Sequence, residues 1–152
     1  MLRAPRESDV LRFLEVSATD RFSYEETGMS QGAPGELTLS GRYNLDYNRQ
    51  YLGTGPAIFE RAKAAIRQWK MFDLSWIDLV PLETPLEAGR TVAVVARHLG
   101  FYSLNASRIL YTVEETGEME RFGFAYGTLT SHSEIGEERF LVEYDRKTGQ
   151  VH

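Results

Sequence analysis

At residue 73 the spacing of apolar side chains changes from helical to alternating, and that switch restricts the folds open to the chain. Upstream, GTGPAIFERAKAAIRQWKMF places Ile58, Phe59, Ala62, Ala65, Ile66 and Trp69 at helical spacing. Glu60, Arg61, Lys63, Arg67 and Lys70 take the other side. Thr54 or Gly55 serves as N-cap, and Pro56 falls in the first turn, where its missing N–H costs nothing. A helix over 56–70 is predicted. Downstream the period is 2 to the end, predicting strands over 74–80, 91–99, 101–114, 119–130 and 137–145, with another beginning at 150. The connections EETGE at 114–118 and DRKTGQ at 145–150 put Gly where a hairpin needs positive φ. A helix with one apolar face must bury it, and the partner offered is the apolar face of an antiparallel meander. The expected class is α+β, a curved antiparallel sheet packed on a long α-helix.

The remaining sequence adds less. Ser8 is positioned to cap a short helix carrying Val10, Leu11, Phe13 and Leu14. Residues 28–36 read as a Gly- and Pro-rich loop between strand-like runs at 22–25 and 37–52. No repeat or second domain is visible, and 152 residues suffice for one core that buries roughly two thirds of the unfolded surface. A net charge of −5 without a basic stripe argues against nucleic acid. The absence of cysteine removes disulfides, thiolate zinc sites and thiol nucleophiles. The longest apolar run, TVAVVA at 91–96, falls far short of the roughly 20 residues of a membrane span, and no leader pattern precedes it. The sequence therefore reads as that of a cytoplasmic protein.

Two strands carry the candidate site. In RFGFAYGTLT, Phe122, Phe124, Tyr126 and Thr128 face one way, while Gly123, Ala125, Gly127 and Leu129 face the other and leave a depression. That depression fits either a sheet bending around a helix or a ligand cavity between sheet and helix. In FYSLNASRILYTVEE, alternation groups Ser103, Asn105, Ser107, Ile109 and Tyr111, with Arg108 opposite among Leu104 and Leu110. A guanidinium in such surroundings reaches water, meets a Glu carboxylate or binds an anion.

The stretches YLGTGPAIFERAKAAIRQWKMF, LNASRILYTVEE and RFGFAYGTLTSHSEIGEERFLVEYD together resemble the domain-of-unknown-function family nineteen-ninety, uncharacterised proteins of bacteria and plants. The resemblance runs from about Tyr43 to the last residue and implies no activity or catalytic residues. The layout is similar to the helix-grip architecture of START-like proteins, which hold apolar ligands between a curved sheet and a helix; that likeness is one of fold alone. It also implies a further strand and helical tail, so the chain reads as a single domain, 1–152, without that tail.

Three readings of function follow. The first is a cavity between sheet and helix holding a small apolar or amphipathic molecule, lined by Trp69, Asn105, Arg108, Tyr111, Phe124, Tyr126 and Thr128. The second is an enzyme in the same cavity, with His132 or Glu138 carrying a proton and Arg108 steadying an anionic group. The third is an interaction module with a filled core. His132, Glu134, Glu137 and Glu138 lack the spacing of a helical metal motif and read first as a solvated turn. No Gly-x-Ser-x-Gly elbow or phosphate loop occurs. No cofactor is expected, and a homo-oligomer is compatible with the sequence.

Overall fold

A computed structural model describes residues 3–32, 43–81 and 83–152. The chain runs through helix α1 (Glu7–Ser17), strand β1 (Gly53–Thr54), helix α2 (Pro56–Arg67) and six further strands. These are β2 (Ile77–Val80), β3 (Thr91–His98), β4 (Phe101–Glu115), β5 (Met119–Thr128), β6 (Glu137–Asp145) and β7 (Gln150–Val151). All seven form one curved antiparallel sheet in the order β1-β7-β6-β5-β4-β3-β2. The α+β class and the curved sheet stand as the alternation predicted.

The helix is shorter than expected. Pro56 opens it at the first helical position, but it ends at Arg67, Trp69 turns to the left-handed region at φ +55°, and a 3₁₀ turn follows at Lys70–Phe72. Twelve residues rise only about 18 Å, whereas six inter-strand gaps in a flat sheet would measure about 29 Å. Since α2 connects β1 on one edge to β2 on the other, the 3₁₀ turn and the curvature of the sheet make up the difference. The anchor of that turn is Trp69, whose ring is buried and whose indole N–H donates to the Thr84 carbonyl at 2.8 Å.

Register assigns the side chains to two faces. Phe122, Phe124, Tyr126, Phe140, Val142, Val92 and Val94 lie toward α2 and its 3₁₀ turn. Phe59, Ile58 and Ala62 of α2 pack on Phe122, Val142 and Val151. Trp69 meets Phe124 at 4.7 Å between ring centroids, and Phe72 meets Phe140 at 5.8 Å. These rings occupy the space between helix and sheet. On the other face α1 packs Val10, Phe13 and Leu14 against Ala93 and Val95. Its start is a capping arrangement of Arg6 and Asp9, in place of the expected Ser8 cap.

The glycine side of β5 therefore turns away from α2. A Cβ on Gly127 would stand 2.0 Å from the Tyr24 hydroxyl and 3.1 Å from the Phe22 ring. The predicted depression exists, but the segment 22–24 fills it. Phe22 forms a single bridge with Leu129, in place of a full strand at 22–25. Of the run expected at 37–52, residues 37–42 lie outside the described residues, and 43–52 contain no strand. The expected loop at 28–36 is described only as far as Gly32.

Ser107 is fully buried on the α2 face, and its Oγ has no hydrogen-bond partner among the described residues. An unmet buried hydroxyl costs about 1–3 kcal/mol. Ser107→Ala is accordingly expected to raise the urea midpoint, by roughly 1 kcal/mol of stability. A fall in the midpoint would reveal a partner for that hydroxyl.

Candidate functional site

The seven residues singled out from sequence are not gathered in one place. Trp69 and Phe124 belong to the packed layer beneath α2, with 1% and 0% exposure. Asn105 is buried and committed: its Oδ1 accepts from the Ser133 backbone N–H at 3.2 Å and hydroxyl at 2.8 Å, pinning the β5–β6 connection. Thr128 is tied to Ser23 and Gly136.

Arg108 does not meet a carboxylate. Its guanidinium donates to the carbonyls of Ser17, Ala18 and Asp20 at 3.3, 2.9 and 3.0 Å, and its charge lies 5.6 Å from the centre of the Phe22 ring. The C-terminal carbonyls of α1 have no intrahelical donors, and a cation there satisfies both their lone pairs and the helix dipole. Arg108→Ala is expected to loosen α1 from β4 at a cost of about 2 kcal/mol. Exchange at the α1 amides should accelerate first, and unchanged α1 exchange would show that the contact is dispensable.

Tyr111 is displaced by a β-bulge. Ile109 pairs with Tyr126, yet Tyr111 pairs with Ala125, so Leu110 is the extra residue. Tyr111 therefore turns to the face opposite Ile109, alongside Arg108 and Arg139. There its hydroxyl meets the Ser30 Oγ at 2.7 Å. Ser30 also donates from its hydroxyl and backbone N–H to Glu137, at 2.7 and 3.0 Å. Tyr24 donates to Glu137 at 3.1 Å, and the Gly28 N–H donates to the same oxygen. Glu137 thus clamps the 24–30 segment onto the sheet, and Arg139 adds a bond to the Gln31 carbonyl at 3.1 Å. Sequence reading treated Glu137 as part of a solvated turn. The spacing Glu137-x-Arg139, two charges on one side of a strand, was the available signal.

A groove of about 1400 Å³ runs beside β6, bordered by Tyr111, Tyr126, Arg139, Phe140 and the segment Asn44–Arg49. Tyr111, Tyr126 and Thr128 of the sequence set line it. Tyr126 donates to Glu138, and burial, reinforced by that carboxylate, pushes its phenol well above the ordinary value. Burial likewise raises Tyr24 and Tyr111. A phenol held neutral by folding stabilises fully below its unfolded pKa of 10.0, and that contribution is lost as pH rises past about 10 toward the folded value. The urea midpoint is expected to fall steeply above pH 10, and less steeply in Tyr126→Phe. Equal slopes would refute the assignment to Tyr126.

His132 is half-buried in the β5–β6 connection, where its Nδ1 accepts from the Glu134 backbone N–H at 2.9 Å. Burial lowers its pKa against the opposing pull of Glu134. Among the described residues no three His, Asp or Glu side chains gather as a metal-binding group. No described helix is long and apolar enough to cross a membrane.

What fold and site define is a curved α+β half-barrel with an open groove beside one strand. The chain belongs to the family described as Domain of unknown function (DUF1990), whose model matches residues 23–152, beginning earlier than the motifs from Tyr43 indicated. It is 35% identical over 151 residues to a UPF0548 protein of Dictyostelium discoideum, covering 95% of this chain and 70% of that one. A UPF0548 protein of Deinococcus radiodurans is 41% identical over 158 residues, covering 95% and 75%. One from Arabidopsis thaliana is 26% identical over 141 residues, covering 86% and 68%. No solved structure matches the chain.

Proposed function

We propose that this protein is a binding module whose ligand lies in the groove beside β6, outside the gap under α2. The observation that supports this is the contrast between the two places. Aromatic rings fill the gap, whereas the groove opens beside Tyr111, Arg139 and Phe140. The groove mixes a few aromatic and aliphatic side chains, among them Tyr47, Tyr111 and Phe140, with many carboxylates and the guanidinium groups of Arg49, Arg121 and Arg139, so it suits a ligand that carries polar as well as apolar groups over a wholly apolar one. Of the sequence set, Tyr111, Tyr126 and Thr128 contact the ligand in this reading, and Trp69, Asn105, Arg108 and Phe124 hold the scaffold.

The probe for this reading is anilinonaphthalene sulfonate, an amphipathic anion, followed by amide and indole NMR shifts on the folded protein. Shifts are expected at Tyr111, Arg139 and Phe140, with the Trp69 indole signal unmoved. Movement of the Trp69 signal, or no binding, would overturn the groove assignment.

A second reading, an enzyme using His132, draws on the lowered pKa of that ring. A histidine depressed by folding stabilises above its unfolded value of 6.5 and loses that contribution as pH falls through 6.5 toward the folded value. NMR titration is expected to place His132 below 6.5; an ordinary value would remove the one observation favouring an acid–base role.

A further inference from the structure

β3 and β4 are joined by two residues, Leu99 and Gly100, both in the left-handed region at φ +48° and +81°. A two-residue hairpin of that geometry favours Asn-Gly, because asparagine tolerates positive φ far better than leucine does. Leu99 is nevertheless 84% exposed, so packing within this fold does not offset its unfavourable backbone. The turn before β2 meets the hairpin at the same end of the sheet. There the Arg97 N–H donates to the Trp76 carbonyl at 2.8 Å, and the Arg97 guanidinium donates to the Ser75 carbonyl at 3.2 Å. That turn leaves Leu74 46% and Trp76 52% exposed, and Phe101, at the start of β4, is 57% exposed. Single exposed apolar residues are ordinary, whereas four large ones on two bonded loops mark a contact surface.

Register gives that surface its shape. Leu74 bridges Ile77, which packs toward α2, so Leu74 lies on the α2 side. Tyr102 packs with the α1 cluster, so Phe101 beside it also faces the α2 side, while Trp76, next to Ile77, takes the α1 side. Leu99 stands at the apex. β4 has its last ladder pair with β5 at Ser107↔Thr128, so the end of the β3–β4 ribbon runs on past β5 with apolar groups on both faces and its tip. A rigid partner covers one face of such an edge, whereas a lipid interface surrounds it. We propose that the Leu99 hairpin and the Trp76 turn insert into the headgroup region of a phospholipid bilayer and hold the protein on its surface. Leu74, Leu99 and Phe101 enter the acyl boundary, and Trp76 takes the interfacial level that indoles prefer. Arg97, without a carboxylate partner among the described residues, meets a lipid phosphate. Lys70 and Asp73 nearby neutralise one another. A chain of net charge −5 is repelled by strongly anionic membranes, so the surface that suits this tip is zwitterionic. Insertion of this kind is independent of the groove and requires no spanning helix.

The test uses phosphatidylcholine vesicles and the fluorescence of the full chain, whose two tryptophans are the buried Trp69 and the exposed Trp76. Adding vesicles is expected to move the emission to shorter wavelength, and brominated acyl chains should quench it; Trp76→Phe should abolish both responses. Leu99→Asn is the sharpest variant, since asparagine fits the left-handed position and should keep or raise the urea midpoint. Its partitioning into the vesicles is expected to fall about tenfold or more, as for returning a leucine side chain to water. Phe101→Ser, altering a residue already exposed, should weaken partitioning in the same direction. An unchanged emission with wild-type protein, or undiminished partitioning of both variants, would overturn the proposal. Binding that occurs only on phosphatidylserine vesicles would overturn it too, by making charge the driving force in place of the apolar tip. An emission shift that grows with protein concentration without lipid, with a dimer in sedimentation, would make the tip a contact between copies of the chain and likewise overturn the proposal.

Discussion

Trp69→Ala is expected to remove about 3–5 kcal/mol of stability, the range for deleting a large aromatic from a core. Trp69 is 1% exposed, lies 4.7 Å from Phe124 and 5.9 Å from Phe72 between ring centroids, and satisfies the Thr84 carbonyl. Its loss would leave a cavity beneath the point where the chain turns from α2 toward β2. Total stabilities of ordinary domains are about 5–15 kcal/mol, so much of the population should unfold at mild urea concentrations. Trp69→Phe separates the two contributions: the ring is largely kept, and only the hydrogen bond to Thr84 and part of the volume are lost. It should cost markedly less. If both variants unfold at the wild-type midpoint, the layer under α2 is not the core described here, and the case for moving the ligand site to the groove fails with it.

Gly123→Ala should be nearly as damaging despite adding a single methyl. The new Cβ would stand 2.1 Å from the Phe140 carbonyl oxygen and 2.9 Å from the Leu141 Cα. Both obstacles are backbone, so no side chain can move aside, and β5 and β6 must separate where they pair most extensively. Overpacking of this kind costs about 1–3 kcal/mol, and the upper end is expected because the clash is with main chain. The melting temperature should fall by roughly 6–12 °C, using about 2–4 °C per kcal/mol for a chain of this size. Gly127→Ala is a useful contrast. There the obstacle is the Tyr24 hydroxyl at 2.0 Å, held by Glu137, so Tyr24→Phe should recover part of the loss. Full stability of Gly123→Ala would mean that the two strands do not approach this closely.

The strands were legible because burying one face of a sheet forces alternation into the sequence. Predicted strands at 119–130 and 137–145 differ from β5 and β6 by two residues or fewer at either end. The helix start was legible from Pro56, while its early end was not. A left-handed Trp69 leaves no propensity signal and is held by the distant Thr84 carbonyl. Tyr111 was assigned to the face of Ile109 because alternation assumes an unbroken ladder, and one extra residue at Leu110 reverses every assignment beyond it. Arg108 was expected to reach water, meet a Glu carboxylate or bind an anion, whereas its guanidinium meets three backbone carbonyls at and just beyond the end of α1. The Glu137 clamp involves the 24–30 segment more than a hundred residues away, at separations of 107–113 positions.

By itself the sequence determined an α+β chain with one amphipathic helix ahead of a meander, because period and turn chemistry are local properties of adjacent residues. Tertiary structure decided which face of the sheet each helix covers and whether the space beneath α2 is open. Those outcomes depend on how strands pair and which rings meet across the sheet. Such contacts join residues far apart in the chain, so no local pattern encodes them.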